Sequence, residues 1–177
     1  MWLLVLGTHY LSWHCKSKEL SVMIMALLIG NCLPNFDGAT EWIDEKTKPQ
    51  DFRHGPIIVQ FWAVSCPLCK INLPKLQQFL TTYRAAGLSL ISVHMPRMEA
   101  DLDVDKVRAA IDEGGLTGPC AIGNDHTLGD RFQTGGVWPS YFLFDAEGKL
   151  RSRAAGTLGI KLAENSLKRL LELESVP

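Results

Sequence analysis

The residues whose types and spacing point most directly to chemistry are Cys66-Pro67-Leu68-Cys69. The chain has five cysteines, at 15, 32, 66, 69 and 120, and only this pair is close in sequence. A disulfide scaffold favours an even, spread set, so one tight pair in an odd count suggests reactive thiols. Pro67 suits the first position of a helix, where its missing N–H costs nothing. That places Cys66 at the N-cap, with the N–H groups of Leu68 and Cys69 directed at its sulfur. A helix N-terminus carries about half a positive charge, which favours thiolate over thiol and makes Cys66 acidic. Lys70 adds a second, weaker positive charge. With two residues between them, Cys69 lies one turn on, close enough to attack a mixed disulfide on Cys66. Cys66 is therefore expected to be a solvent-reachable nucleophile and Cys69 the resolving thiol. A structural zinc site would need two further ligands, from a second CxxC or an HxxxH, and the sequence has neither. An inert disulfide across so short a loop would constrain little of the unfolded chain. Neither a metal nor a cofactor is called for.

The elements around the pair form an α/β pattern. Ile57 to Trp62 is a continuous β-branched and aromatic run after Gly55-Pro56, which reads as a buried strand. Pro67 to about Ala86 reads as a helix with Leu73, Leu76, Phe79, Leu80 and Tyr83 at helical spacing, stopped by Gly87. Leu88 to His94 is the next strand, and a helical crossover between the two implies a parallel pair. A short helix over Val104 to Glu113, a strand over Pro119 to Ile122 and a helix over His126 to Phe132 follow. Ser140 to Asp145 and Lys149 to Ala154 form a hairpin around Ala146-Glu147-Gly148, and Ile160 to Leu173 closes the chain as an amphipathic helix. The expected order is β-α-β-α-β-α-β-β-α.

Composition bounds what such a domain can be. The chain has 177 residues, 46% hydrophobic and 21% charged, with 18 basic against 19 acidic residues. That length suffices for a sizeable core without staples, and a net charge of -1 lacks the positive field of a nucleic-acid binder. The domain is expected over 33–177, and residues 1–24 need a separate reading. They make a poor signal peptide, and the apolar run Val22 to Ile29 is far below the roughly 20 residues a membrane-spanning helix needs. Lys18-Glu19 would be encoded AARGAR, which can serve as a purine-rich ribosome-binding sequence ahead of Met23. Translation is thus expected to start at Met23 or Met25, with residues 1–24 an upstream extension; the alternative is a genuine leader or membrane anchor.

Ile57 to Pro74, IIVQFWAVSCPLCKINLP, together with Val137 to Asp145 and Gly148-Lys149-Leu150, resembles the thioredoxin-like superfamily, and within it the TlpA/ResA-like thiol–disulfide oxidoreductases. His94-Met95-Pro96-Arg97, the acidic Glu99 to Asp103 stretch and Asn124 to Leu128 are most similar to the small YkuV-type bacterial members. The resemblance runs from about residue 33 to the end. It implies a thioredoxin-like fold, a central mixed sheet flanked by helices with an extra helical insertion between the parallel strands. It also implies that Pro139 is cis and lies against the cysteine pair, with Trp138 offering backbone groups to an extended client and Trp62, Pro67 and Lys70 supporting the site.

Two positions depart from the relatives. Thioredoxins carry a buried Asp where this chain has Gln60, and ResA-like members a Glu where it has Asn72, so the usual general base for the resolving thiol is missing. His94 is expected to be a satisfied, half-exposed histidine that could also tune the cysteines. Arg97, Glu99, Asp101, Asp103 and Asp105 read as a solvated loop and helix start, and His126 as a structural loop feature. Trp62, Leu68, Val137 and Trp138 are candidates for an apolar collar, with core packing the alternative for Trp62. Cys32 and Cys120 read as small hydrophobes.

The resemblance implies an enzyme that reduces or exchanges disulfides in protein substrates, supplied with electrons by a thioredoxin-reductase-type system. It is expected to be cytoplasmic and monomeric, without nucleic-acid or membrane partners, or extracytoplasmic if the leader is genuine. A binding module without turnover is one alternative. A thiol peroxidase is another, although Val59 and Ala63 stand where peroxiredoxins carry Pro and Thr.

Overall fold

A computed structural model describes residues 27–44 and 55–174. The expected extension over 1–24 lies outside the described residues. Leu27 is already buried in the core, and Gly30 N–H donates to the Leu150 carbonyl, so the stretch before residue 33 packs on the domain.

Among the described residues, six strands form one mixed sheet: β1 (Glu41–Ile43), β2 (Ile57–Trp62), β3 (Ser89–His94), β4 (Cys120–Ile122), β5 (Ser140–Phe144) and β6 (Leu150–Ala155), in the order β1-β4-β3-β2-β5-β6. β2 pairs parallel with β3 and β3 with β4, while β5, β6 and β1 are antiparallel to their neighbours. The α-helices among the described residues are α1 (Pro67–Thr82), α2 (Val104–Gly114), α3 (Thr127–Phe132) and α4 (Gly159–Glu174). The expected sheet and the helix inserted between parallel strands are both present. β1 was not expected: its three residues carry no periodicity, and pairing with β4 alone makes them a strand.

Alternation across the sheet decides which side each helix covers. Ile57, Val59 and Phe61 of β2 join Ile91 and Val93 of β3 and Phe142 and Phe144 of β5 beneath Leu128 and Phe132 of α3. On the other face Ile58, Leu90, Tyr141 and Leu143 meet Leu76 and Phe79 of α1 and Ile160, Ala163 and Leu167 of α4. Gln60, Trp62, Ser92 and His94 follow the same parity as Ile58 and Leu90, so polar side chains are carried into the interior at the end of the strands where α1 begins. α1 ends at Thr82, sooner than expected. A 3-10 turn over Arg84–Ala86 completes the run, and Gly87 caps it in the left-handed region at φ 79°.

Candidate active site

Cys66 is the N-cap of α1, with extended backbone (φ -87°, ψ 106°), and Pro67 occupies the first turn. Its Sγ accepts from the Cys69 N–H at 3.1 Å, a charge-favouring contact for a thiolate at a helix N-terminus. Of the two amides expected to face the sulfur, Cys69 supplies the bond. Cys66 and Cys69 are joined in a disulfide, with Cα atoms 5.3 Å apart.

Openness is where the expectation needs correcting. Cys66 is 2% exposed and Cys69 5% exposed in this oxidised form. Both belong to a buried cluster with Trp62, Ala63, Val107, Ile111, Cys120 and Ile122, against which Trp138 packs, while Pro67, Leu68, Lys70 and Val137 are exposed. Leu68 and Val137 thus lie at the surface as the collar reading requires. Trp62 does not: at 6% exposed it belongs to the core, its ring edge-on to His94 at 5.2 Å.

The Trp138–Pro139 peptide is cis. Trp138 is fixed from several sides: its Nε1–H donates to the Met95 carbonyl at 2.9 Å, the Arg97 guanidinium sits 5.9 Å from its ring centre, and the His126 ring meets it edge-on at 6.4 Å. A chain of bonds ties this loop to α1. Asn72 Nδ2 donates to the Gly156 carbonyl at 3.0 Å, and Gly156 N–H donates to the Pro139 carbonyl at 2.8 Å.

Gln60 and Asn72 are both buried and flank the Tyr141 hydroxyl, whose pKa burial pushes up to about 12. The oxygens of Gln60, Asn72 and Tyr141 make no hydrogen bond of good geometry within the described residues. Every side chain in this cluster is neutral across the physiological range, so it brings no carboxylate to Cys69.

Two readings, one at the end of β3 and one in the segment after it, are corrected. His94 is fully buried, not half-exposed: Nε2 accepts from Val64 N–H at 3.4 Å and Nδ1 has no partner among the described residues. Burial lowers its pKa to about 4, against a smaller opposing pull from Asp101, so the ring is neutral. Asp101 is 2% exposed, not solvated. It is buried because three donors meet it: Ser65 N–H at 3.0 Å, Ser65 Oγ at 2.6 Å and Arg97 N–H at 2.9 Å. Sequence reasoning missed Ser65 and the role of Asp101, since a fixed carboxylate in an acidic run leaves no periodic signal. Arg97, Glu99 and Asp105 are exposed as expected, and Asp103 caps α2 through the Asp105 and Lys106 amides. Cys120 is wholly buried, with its sulfur beside Ser92, Trp62 and the His94 amide; burial pushes the thiol's pKa up, as suits a packing residue. Cys32 is half-buried against the Lys149 ammonium, 3.1 Å from its sulfur.

A model of the AhpC/TSA family matches residues 29–153. The chain belongs to that family. Within it, the chain is 36% identical over 140 residues to the thiol-disulfide oxidoreductase YkuV of Bacillus subtilis, covering 78% of this chain and 93% of the relative. The thiol-disulfide oxidoreductase ResA of Bacillus anthracis is 25% identical over 142 residues, covering 80% and 78%. A thioredoxin-like protein solved in solution in its oxidised form superposes with a TM-score of 0.72 at 32% identity, covering 81% of this chain and 97% of that one. The fold is thioredoxin-like, and the class is that of the thiol–disulfide oxidoreductases, as the CxxC motif led one to expect.

Proposed function

We propose that this protein reduces or exchanges disulfides in protein clients, with Cys66 as the attacking sulfur and Cys69 as the resolving one. The observation that carries the reading is the Cys66 sulfur at the N-cap of α1, bonded to the Cys69 amide and already joined to Cys69. In the reduced protein the Cys66 thiolate attacks one sulfur of a client disulfide. The other client sulfur leaves as a thiolate and takes up a proton. Cys69 then loses its proton, attacks Cys66 Sγ and breaks the mixed disulfide, releasing the second client thiolate. Two electrons pass to the client, and a dithiol donor of the thioredoxin-reductase type restores the pair.

Leu68, Val137 and Trp138 form the rim on which an extended client segment lies, beside the Pro139 loop, with Pro67 and Lys70 at the helix start and Trp62 as the buried floor. Gln60 and Asn72 are neutral, so resolution proceeds without a neighbouring carboxylate and is slower than in relatives that have one. The same proposal takes the domain to be a cytoplasmic monomer acting on soluble clients.

The deciding experiment is Cys69→Ser, which leaves Cys66 covalently joined to clients. Mixed disulfides recovered through Cys66, and lost in Cys66→Ser, are the expected result. A Cys66→Ser/Cys69→Ser protein that still does its work would favour a binding module without turnover. Rapid consumption of hydrogen peroxide would favour a peroxidase instead.

A further inference from the structure

Ser65, the residue before Cys66, is held on every polar group by charged residues of the segment that follows β3. Its N–H and hydroxyl donate to the two Asp101 oxygens at 3.0 and 2.6 Å, and its carbonyl accepts from Arg97 Nη1 at 3.0 Å. Arg97 also donates its own N–H to Asp101 at 2.9 Å, while its guanidinium lies over Trp138. A carboxylate buried with three donors stays ionised: burial alone would raise the Asp101 pKa, but hydrogen bonds from Ser65 and from the Arg97 and Met98 amides hold it below the ordinary value. A fixed negative charge and a fixed positive charge are therefore mounted on the same residue, one bond from the N-cap.

We propose that Asp101 and Arg97 are positioning residues of opposite sign that set how readily Cys66 releases its proton, Asp101 opposing the thiolate and Arg97 favouring it, with Ser65 as their shared mount. This rests on the reading of Cys66 as the attacking sulfur. The helix N-terminus and the pair act together: the dipole favours the anion, Asp101 limits that effect, and Arg97 partly cancels Asp101. A less acidic leading thiol makes a more reducing couple, so Asp101 biases the domain toward donating electrons and Arg97 biases it the other way. Among the described residues, the other charged or titratable groups on the elements about the site include Cys69 and Lys70 on α1, buried Cys120 on β4, exposed Glu99 on the segment that follows β3, buried His94 at the end of β3, and exposed Asp125 and His126 before α3. They are unchanged in the variants below, so the comparison isolates the pair.

The test follows iodoacetamide alkylation of Cys66 in the reduced full-length protein from pH 4 to 9, with the modified peptide quantified by mass spectrometry. Asp101→Asn is expected to speed alkylation below the midpoint by about fivefold and Arg97→Gln to slow it by about threefold, the size of one charge removed at short range in a partly screened site. The midpoints move to lower and higher pH respectively, Arg97→Lys behaves like the parent, and the glutathione equilibrium shifts in the matching directions. A bracket that merely held Ser65 in place would move both variants the same way. Shifts of the same sign, or unmoved midpoints, overturn the proposal. Should Asp101→Asn fail to fold, Arg97→Gln against Arg97→Lys decides alone, and equal profiles for those two refute it. A parent Cys66 that labels no faster than free glutathione would instead refute its role as the attacking sulfur, whatever the variants do.

Discussion

His94 should make the fold sensitive to mild acid, and replacing it by Gln should remove much of that sensitivity. The ring is fully buried, accepts the Val64 N–H through Nε2 and lies against the Trp62 ring. Protonation would destroy the acceptor and leave a cation in the core, which is why the pKa falls from 6.5 to about 4. The folded value is depressed, so the unfolded chain binds this proton first. The stabilising contribution is fully present above pH 6.5, fades as the pH falls and is exhausted below about pH 4. Integrated over that window, the loss is about 2 kcal/mol between pH 7 and 5 and about 3 kcal/mol by pH 4. Urea unfolding of the oxidised protein at pH 7, 6, 5 and 4 measures it, with constant m-values required for the comparison. His94→Gln keeps an acceptor for the Val64 N–H but does not titrate. Its stability is expected to start below the parent's at pH 7 and to approach or overtake it by pH 5, the difference changing by about 2 kcal/mol. Asp101 also contributes to acid unfolding, but at lower pH, because its carboxyl is held below the ordinary value. Parallel stability curves for parent and variant would show that His94 takes up its proton in the folded state as readily as in the unfolded one, and the account of its burial would be wrong.

Two further outcomes follow from packing. A Cβ at Gly159 would stand 2.4 Å from Tyr141 Cδ2, inside a ring that is 1% exposed. Gly159→Ala should therefore cost about 1–3 kcal/mol in denaturant unfolding, and an unchanged midpoint would mean that α4 shifts freely. Trp138→Phe keeps a ring beneath Arg97 but deletes the donor to the Met95 carbonyl. A loss of about 1 kcal/mol is expected by the same assay, and no loss would mean that the carbonyl finds another donor.

The parts of the molecule that are legible in the sequence are those fixed by contiguous local patterns. Ile57 to Trp62 announces a strand buried on both faces, Pro67 after Cys66 announces a helix start, and Gly87 marks a helix end that the backbone realises in the left-handed region. The parts that are not legible depend on partners distant in the chain. β1 is a strand because β4 lies beside it, some eighty residues on. His94 is buried because a strand of alternating parity carries it inward, and sequence alone does not say how far the cover extends over that strand's last residue. Asp101 looks like one acid among several; only the arrival of Ser65, 36 positions earlier, singles it out. The burial of Cys66 has the same origin, since the cluster that encloses it is completed by Val107, Ile111, Cys120 and Ile122 from well beyond the motif.

The two flanks of the sheet differ in how they meet solvent, and neither is an inviting template for another chain. On one side β1 offers only three residues. On the other, β6 points Arg151 and Arg153 outward, the first tied to Asp145 and the second to the Leu27 and Gln133 carbonyls, while Gly30 to Cys32 shields the strand's beginning. Short length, outward cations and a covering segment are the means by which natural sheets resist lateral growth. A polypeptide seeking backbone hydrogen bonds from this molecule is thus turned away from its sides and left with the loops at the strand tips, where the sulfurs are.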